Sequence, residues 1–125
     1  MAIAENHLLA LLPRANRLRL LALSASIRLD LGTVLCEPHE RTRHVYFPQE
    51  CFISLVTAIE GKPVLEVGMV GREGMLGAQL VLGVAAAPLH ALVQGEGRAW
   101  RIEAAAFRRE LAWSKPLRQV LNRYL

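Results

Sequence analysis

A mainly β fold, a small roll or barrel with flanking helices, is what this sequence predicts. Three observations carry the prediction. Short alternating, β-branched or aromatic runs recur at roughly 8–12-residue intervals, divided by Gly, Pro and polar turn residues. Helical spacing of apolar residues is confined to the two ends of the chain. Between them, residues 64–83 read V-L-E-V-G-M-V-G-R-E-G-M-L-G-A-Q-L-V-L-G, with glycines at 68, 71, 74 and 77. Each glycine penalises a continuous helix by roughly 1 kcal/mol relative to alanine. That stretch is therefore expected to be a strand, a compact turn exposing Arg72 and Glu73, and a short helical or strand-like return.

Taken in order, residues 6–23 carry leucines at 8, 9, 11, 12, 18, 20, 21 and 23, interrupted by Pro13. Proline removes a donor and clashes one turn back, so a short helix ends before Pro13 and a second starts near it. The polar face of the second holds Arg14, Arg17 and Arg19. From Ser26 the period becomes two: Ile27, Leu29 and Leu31 alternate with Arg28 and Asp30, a half-buried strand. Gly32 turns the chain into a short strand at 33–36, followed by the polar turn Glu37-Pro38-His39-Glu40. Further strands are expected at 44–47, 51–59, 64–70, 89–94 and 98–102, with a hairpin turn at Glu60-Gly61-Lys62-Pro63. Residues 84–88 are loop-like and 95–97 form a tight connection.

Residues 103–113 return to helical spacing, with Ala104, Phe107 and Leu111 on one face. Ser114 is placed to cap a last helix through Tyr124. Its stripe of Leu117, Val120, Leu121 and Tyr124 reads as unfinished, an apolar face meant to continue or to pair.

With 125 residues, 53% hydrophobic and 21% charged, the chain is one domain with a real core and not a disordered segment. No apolar stretch approaches the roughly 20 residues of a membrane span. Glu5 comes early and no basic segment precedes an apolar one, so no signal peptide is expected. Cys36 and Cys51 are too few for a disulfide scaffold, and a reducing cytoplasm is the simplest compartment. The net charge of +4 comes from arginines spread along the chain, without a densely basic window. Direct DNA reading by these residues is not expected on that ground.

The glycine stretch fits neither common phosphate-binding loop. No lysine follows the glycines as a nucleotide-triphosphatase loop requires, and a spacing of three and three is not G-x-G-x-x-G. The turn either presents backbone N–H groups to an anion or serves tight packing, and glycine chemistry favours packing.

The order of features resembles the N-terminal sensor domain of Crp/Fnr-type bacterial transcription regulators. The residues that carry the resemblance are L-G-T-V-L-C-E-P at 31–38, H-V-Y-F-P at 44–48, E-V-G-M-V-G-R-E-G-M-L-G at 66–77, and A-W-R-I at 99–102 leading into a helix. The resemblance implies a double-stranded β-helix, a jelly roll like that of cyclic-nucleotide-binding domains, with N-terminal helices and a C-terminal dimerisation helix. Residues 1–113 would form the sensor roll and 114–125 the start of the dimer helix, with a DNA-binding helix-turn-helix domain absent from this chain.

In cyclic-nucleotide-binding members a glutamate after the glycine turn contacts the ribose, and an arginine–serine or arginine–threonine pair holds the phosphate. A buried phosphate needs such partners, because unpaired charge is costly to bury. Here the glutamate position falls on Ala78 and the pair falls near Pro88 and Leu89. The usual mode of cAMP or cGMP binding is therefore not expected. The candidate ligand pocket comprises Val67, Met69, Gly71, Arg72, Glu73, Gly74, Met75, Leu76, Gly77, Ala78, Pro88 and Leu89. Val67, Met69, Met75, Leu76 and Leu80 fit plain core equally well.

Two cysteines cannot hold an iron–sulfur cluster of the usual kind. His39, His44, His90, Cys36 and Cys51 are formally available to haem, but isolated histidines near turns read as structural. A cupin-type metal enzyme would want two histidines one residue apart, whereas His39 and His44 lie five apart. A stand-alone cyclic-nucleotide or small-molecule binding module, the other alternative, would need a polar anchor inside the roll, and none is found in the sequence. No catalytic set stands out, so no enzyme, metal or cofactor is expected. The expected partners are a second copy, docking through Leu117, Val120, Leu121 and Tyr124, and an unidentified small-molecule effector. DNA would be reached only through the absent domain.

Overall fold

The computed structural model describes residues 6–57 and 65–125. The turn expected at 60–63, and the ends of the strands expected on either side of it, lie outside the described residues. Two short helices come first, α1 (His7–Ala10) and α2 (Arg14–Ala22). Among the described residues seven strands follow: β1 (Ser24–Leu29), β2 (Val34–Cys36), β3 (His44–Pro48), β4 (Phe52–Thr57), β5 (Leu65–Val70), β6 (His90–Gly95) and β7 (Gly97–Glu103). A 3-10 turn at Ala78–Leu82 separates β5 from β6. Helices α3 (Ala104–Trp113) and α4 (Lys115–Tyr124) complete the chain.

The strands form two antiparallel sheets, ordered β1-β7-β3 and β2-β6-β4-β5. The three-stranded sheet is the middle layer. On β3, Val45 and Phe47 enter a core shared with the helices, while Tyr46 enters a second core between the sheets. On β7, Ile102 faces the helices and Ala99 faces the other sheet. This two-sided burial explains why β3 is a continuous apolar run instead of an alternating one.

Local chemistry sets the boundaries. Pro13 stands just before α2 with φ −53°, pre-set for the first turn. The Asn6 side chain accepts from the N–H groups of Leu8 and Leu9 and caps α1. Gly77 (φ 102°) opens the 3-10 turn against Val45, a backbone state that side chains strongly disfavour. The expected alternation through Leu31 stops early. Thr33 N–H bonds to Asp30 O at 3.1 Å and Gly32 N–H to Val93 O at 2.8 Å. The chain therefore turns after Leu29 and leaves Leu31 63% exposed.

The stripe on α4 has a different destination from the one its periodicity suggested. Leu117 and Leu121 are 2% and 1% exposed in the chain's own helix-side core, with Val120 packed against it. Tyr124 reaches back to the glycine turn, where its hydroxyl accepts from the Met75 N–H at 3.3 Å. Leu117 and Leu121 of the stripe are thus covered by the body of the same chain, while Val120 and Tyr124 keep part of their surface. Periodicity shows that a face must be covered, not by what.

Candidate functional site

Where the roll opens, between the glycine turn, the 85–89 loop and the end of α4, it leaves a cavity of about 280 Å³. Leu35, Tyr46, Leu55, Val70, Met75 and Leu76 supply apolar wall from β2, β3, β4, β5 and the turn. Backbone pairing holds this wall in place. Leu76 exchanges both hydrogen bonds with Tyr46, at 2.9 and 3.1 Å. The 85–89 loop is stitched to the segment before β3 through Thr42 N–H to Ala85 O and Ala87 N–H to Glu40 O, both 2.9 Å.

The polar groups at the cavity largely satisfy one another. Gln79 Nε2 donates to Thr42 Oγ1 at 2.6 Å, and Cys36 Sγ donates to Leu89 O at 3.5 Å. Burial raises the Cys36 thiol, and the nearby Glu40 and Glu37 add to this against a hydrogen bond at Ala91, so the sulfur is a neutral, poorly nucleophilic donor near pH 7. Burial likewise raises the Tyr46 phenol, with Arg101 pulling it back. Glu40, Arg41 and Arg43 belong to exposed residues at the rim.

Of the twelve candidate pocket residues, Met75, Leu76, Gly77, Ala78, Pro88 and Leu89 line this cavity. The other six do not. Val70 faces inward, so alternation turns Val67 and Met69 outward, 51% and 52% exposed. A register irregularity between Leu55 and Val56 leaves Val67 without a partner on β4. Arg72 and Glu73 are exposed at the turn, where Glu73 Oε1 accepts from the Gly71 N–H at 3.1 Å. Gly71 and Gly74 are buried in the turn itself. Leu80 belongs to the helix-side core.

Sequence reasoning missed Leu35, Thr42, Tyr46, Leu55 and Gln79, and placed Tyr124 at another surface. Gln79 carried a signal, as a lone polar residue in an apolar return. Among the described residues no group of three or more His, Cys, Asp or Glu is placed to hold a metal ion. His90 and Glu37 approach each other at 3.2 Å as a pair only.

His44 lines both the cavity and a second depression that contains Arg101 and Glu103. Burial disfavours its imidazolium, Arg101 and Arg43 repel it, and Glu103 only partly offsets them, so it titrates below the usual histidine range. The folded value is depressed, so the fold keeps its full stability above the unfolded value of about 6.5 and loses some as pH falls below it. The loss levels off below the folded value. Urea midpoints measured on both sides of that window should fall toward acid, and His44→Gln should flatten that component.

No protein-family model matches the sequence, and no curated protein sequence matches it. Solved structures do. The N-terminal domain of a transcriptional regulator from Streptomyces coelicolor A3(2) matches with a TM-score of 0.75 at 15% identity, over 98% of this chain and 86% of that one. The sensor domain of the transcriptional regulator DNR from Pseudomonas aeruginosa matches at 0.75 and 17%, over 95% and 80%. The regulatory domain of Toxoplasma gondii PKA, solved with cAMP, matches at 0.76 and 16%, over 96% of this chain and 45% of that one. The fold is that of a cyclic-nucleotide-binding domain. As the sequence resemblance implied, the roll carries helices at both ends. The chain spans most of the two bacterial domains and about half of the Toxoplasma one. No described helix is long and apolar enough to cross a membrane.

Proposed function

We propose that this chain is the effector-sensing domain of a Crp/Fnr-type transcription regulator, receiving a small ligand with a largely apolar body and not cAMP or cGMP in the usual mode. The observation that supports this reading most is the chemistry of the cavity wall. Ala78, Pro88 and Leu89, the positions to which the resemblance assigns the ribose and phosphate contacts, all line the cavity and all are apolar. A phosphate seated against them would lose its water without gaining a guanidinium or hydroxyl. The rim arginines stand in exposed segments and do not replace an interior anchor.

The volume suits the proposal. An apolar cavity of about 150 Å³ takes benzene, so about 280 Å³ has room for a bicyclic ring system. Occupancy would bias α4, whose Tyr124 borders the cavity, between two positions, a population shift passed to a DNA-binding domain beyond it. The same reading makes the protein a cytoplasmic, non-enzymatic homodimer. The dimer contact would run along α4, where Tyr124 keeps 36% exposure and Val120 is partly buried, while Leu117 and Leu121 are turned inward.

Titration calorimetry tests the ligand class. cAMP, cGMP and cyclic di-GMP should give no saturable heat at high micromolar concentration. Indole, as an apolar probe, should raise the thermal midpoint of the chain, and Leu76→Trp, which fills the cavity, should abolish that rise. Saturable cyclic-nucleotide binding that is lost in an Arg41→Ala/Arg43→Ala variant would overturn the proposal.

A further inference from the structure

The arginines that look scattered along the sequence are gathered by the fold. Helices α2, α3 and α4 hold eight of the fifteen Lys and Arg residues and one of the eleven acidic residues, Glu110. Their formal charge is +7, against −3 for the rest of the chain. These helices are one layer. Asn16 on α2 hydrogen-bonds Ser114 at the α3–α4 junction at 3.4 Å, and Arg19 on α2 pairs with Glu110 on α3 at 3.3 Å. The single acid is thereby spent: Glu110 is 8% exposed and committed to Arg19.

Two further features organise the surface. The Arg19 guanidinium lies 3.5 Å over the ring of Trp113, which is itself 53% exposed, so this cation is already ordered. Arg14, Arg109 and Lys115 are exposed, with no acidic partner among the described residues. Free cations on a layer whose one acid is already paired suit phosphate, which arginine binds through its planar fork.

We infer that the part of this helical layer bearing Arg14, Arg109 and Lys115, away from the Val120 and Tyr124 side of α4 that the proposed dimer would cover, is a docking surface for the phosphate backbone of duplex DNA, without base readout. It goes beyond the proposed effector site, none of these three residues lining the cavity, and holds whether or not the cavity binds a ligand. An acidic protein surface and an anionic membrane are the competing occupants. Duplex DNA is favoured because the charge spans three helices instead of one amphipathic face, and because arginine predominates over lysine.

The test is fluorescence anisotropy of a labelled, arbitrary-sequence duplex of roughly 30 base pairs at low salt, using the whole chain. Saturable binding in the micromolar range is expected, weakening as salt rises. Arg14→Glu/Arg109→Glu/Lys115→Glu should weaken it at least about tenfold and lower the salt slope by between two and three, at about 0.9 per lost phosphate contact. The equal charge change placed on the roll, Arg28→Glu/Arg41→Glu/Arg72→Glu, should weaken it less than about threefold. The glutamine triple at the helical positions, checked by circular dichroism, should show an intermediate loss and guards against misfolding of the glutamate variant. Equal losses for the two glutamate triples would reduce the effect to net charge and overturn the assignment. So would an absence of binding, or tighter binding to polyglutamate or phosphatidylglycerol vesicles than to the duplex.

Discussion

Asn6→Ala is expected to cost the fold about 3–4 kcal/mol, because it removes a cap and leaves buried carbonyls without donors. Asn6 is fully buried and uses both ends of its amide. Its oxygen accepts from the N–H groups of Leu8 (3.0 Å) and Leu9 (3.2 Å), while its nitrogen donates to Pro48 O and Gly74 O, both at 2.9 Å. Alanine would strand two amides and two carbonyls in a site that water does not reach. For a domain of this size the loss corresponds to a fall in thermal midpoint of about 12–16 °C. Asn6→Ser keeps a capping oxygen and one donor, so it should fall between the two. A midpoint for Asn6→Ala within about 3 °C of the parent would show that these bonds are replaced on mutation and would sink this account.

The same residue shows how the glycine turn is held. Gly74 accepts from Asn6 through its carbonyl, and its Cα side is closed by the Tyr124 ring, which a methyl group there would strike. His7 N–H bonds to Arg72 O at 2.7 Å. The turn that borders the cavity is therefore gripped by the start of the described chain on one side and by the last helical residue on the other. In the proposed sensing mechanism, that grip would be the route by which cavity occupancy and helix position influence each other.

Much of this fold was legible in the sequence because the relevant signals are local. Pro13 and Ser114 mark helix starts by their own chemistry, and the glycine spacing marks a turn that no continuous helix tolerates. The signals that failed are those settled by tertiary partners. Val67 and Met69 share the apolar character of wall residues, but the facing of β5 is fixed by its pairing with β4, and a register irregularity there has no mark in the sequence. Thr42 lies between two exposed arginines and gave no sign that it would meet Gln79 across the cavity. The arginines of α2, α3 and α4 are far apart in the chain, so the layer they form leaves no densely basic window in the sequence.

Leu121→Ala should cost about 2–5 kcal/mol of stability, as expected for a fully buried leucine, and its larger consequence lies in α4. A ten-residue helix does not persist alone in water, so α4 depends on the packing of Leu117 and Leu121. Removing one of the two anchors should let the helix undock while the sheets remain folded. Hydrogen exchange of the α4 amides would then accelerate far more than that of β4 or β7, and the Tyr124–Met75 hydrogen bond would open with it. Val120→Ala, at a partly buried position, is the appropriate comparison and should change α4 exchange much less. Uniform acceleration across sheets and helix in Leu121→Ala would mean that α4 and the roll unfold as one unit. In that case movement of α4 could not carry a signal from the cavity, because no state with the helix released and the roll intact would be populated.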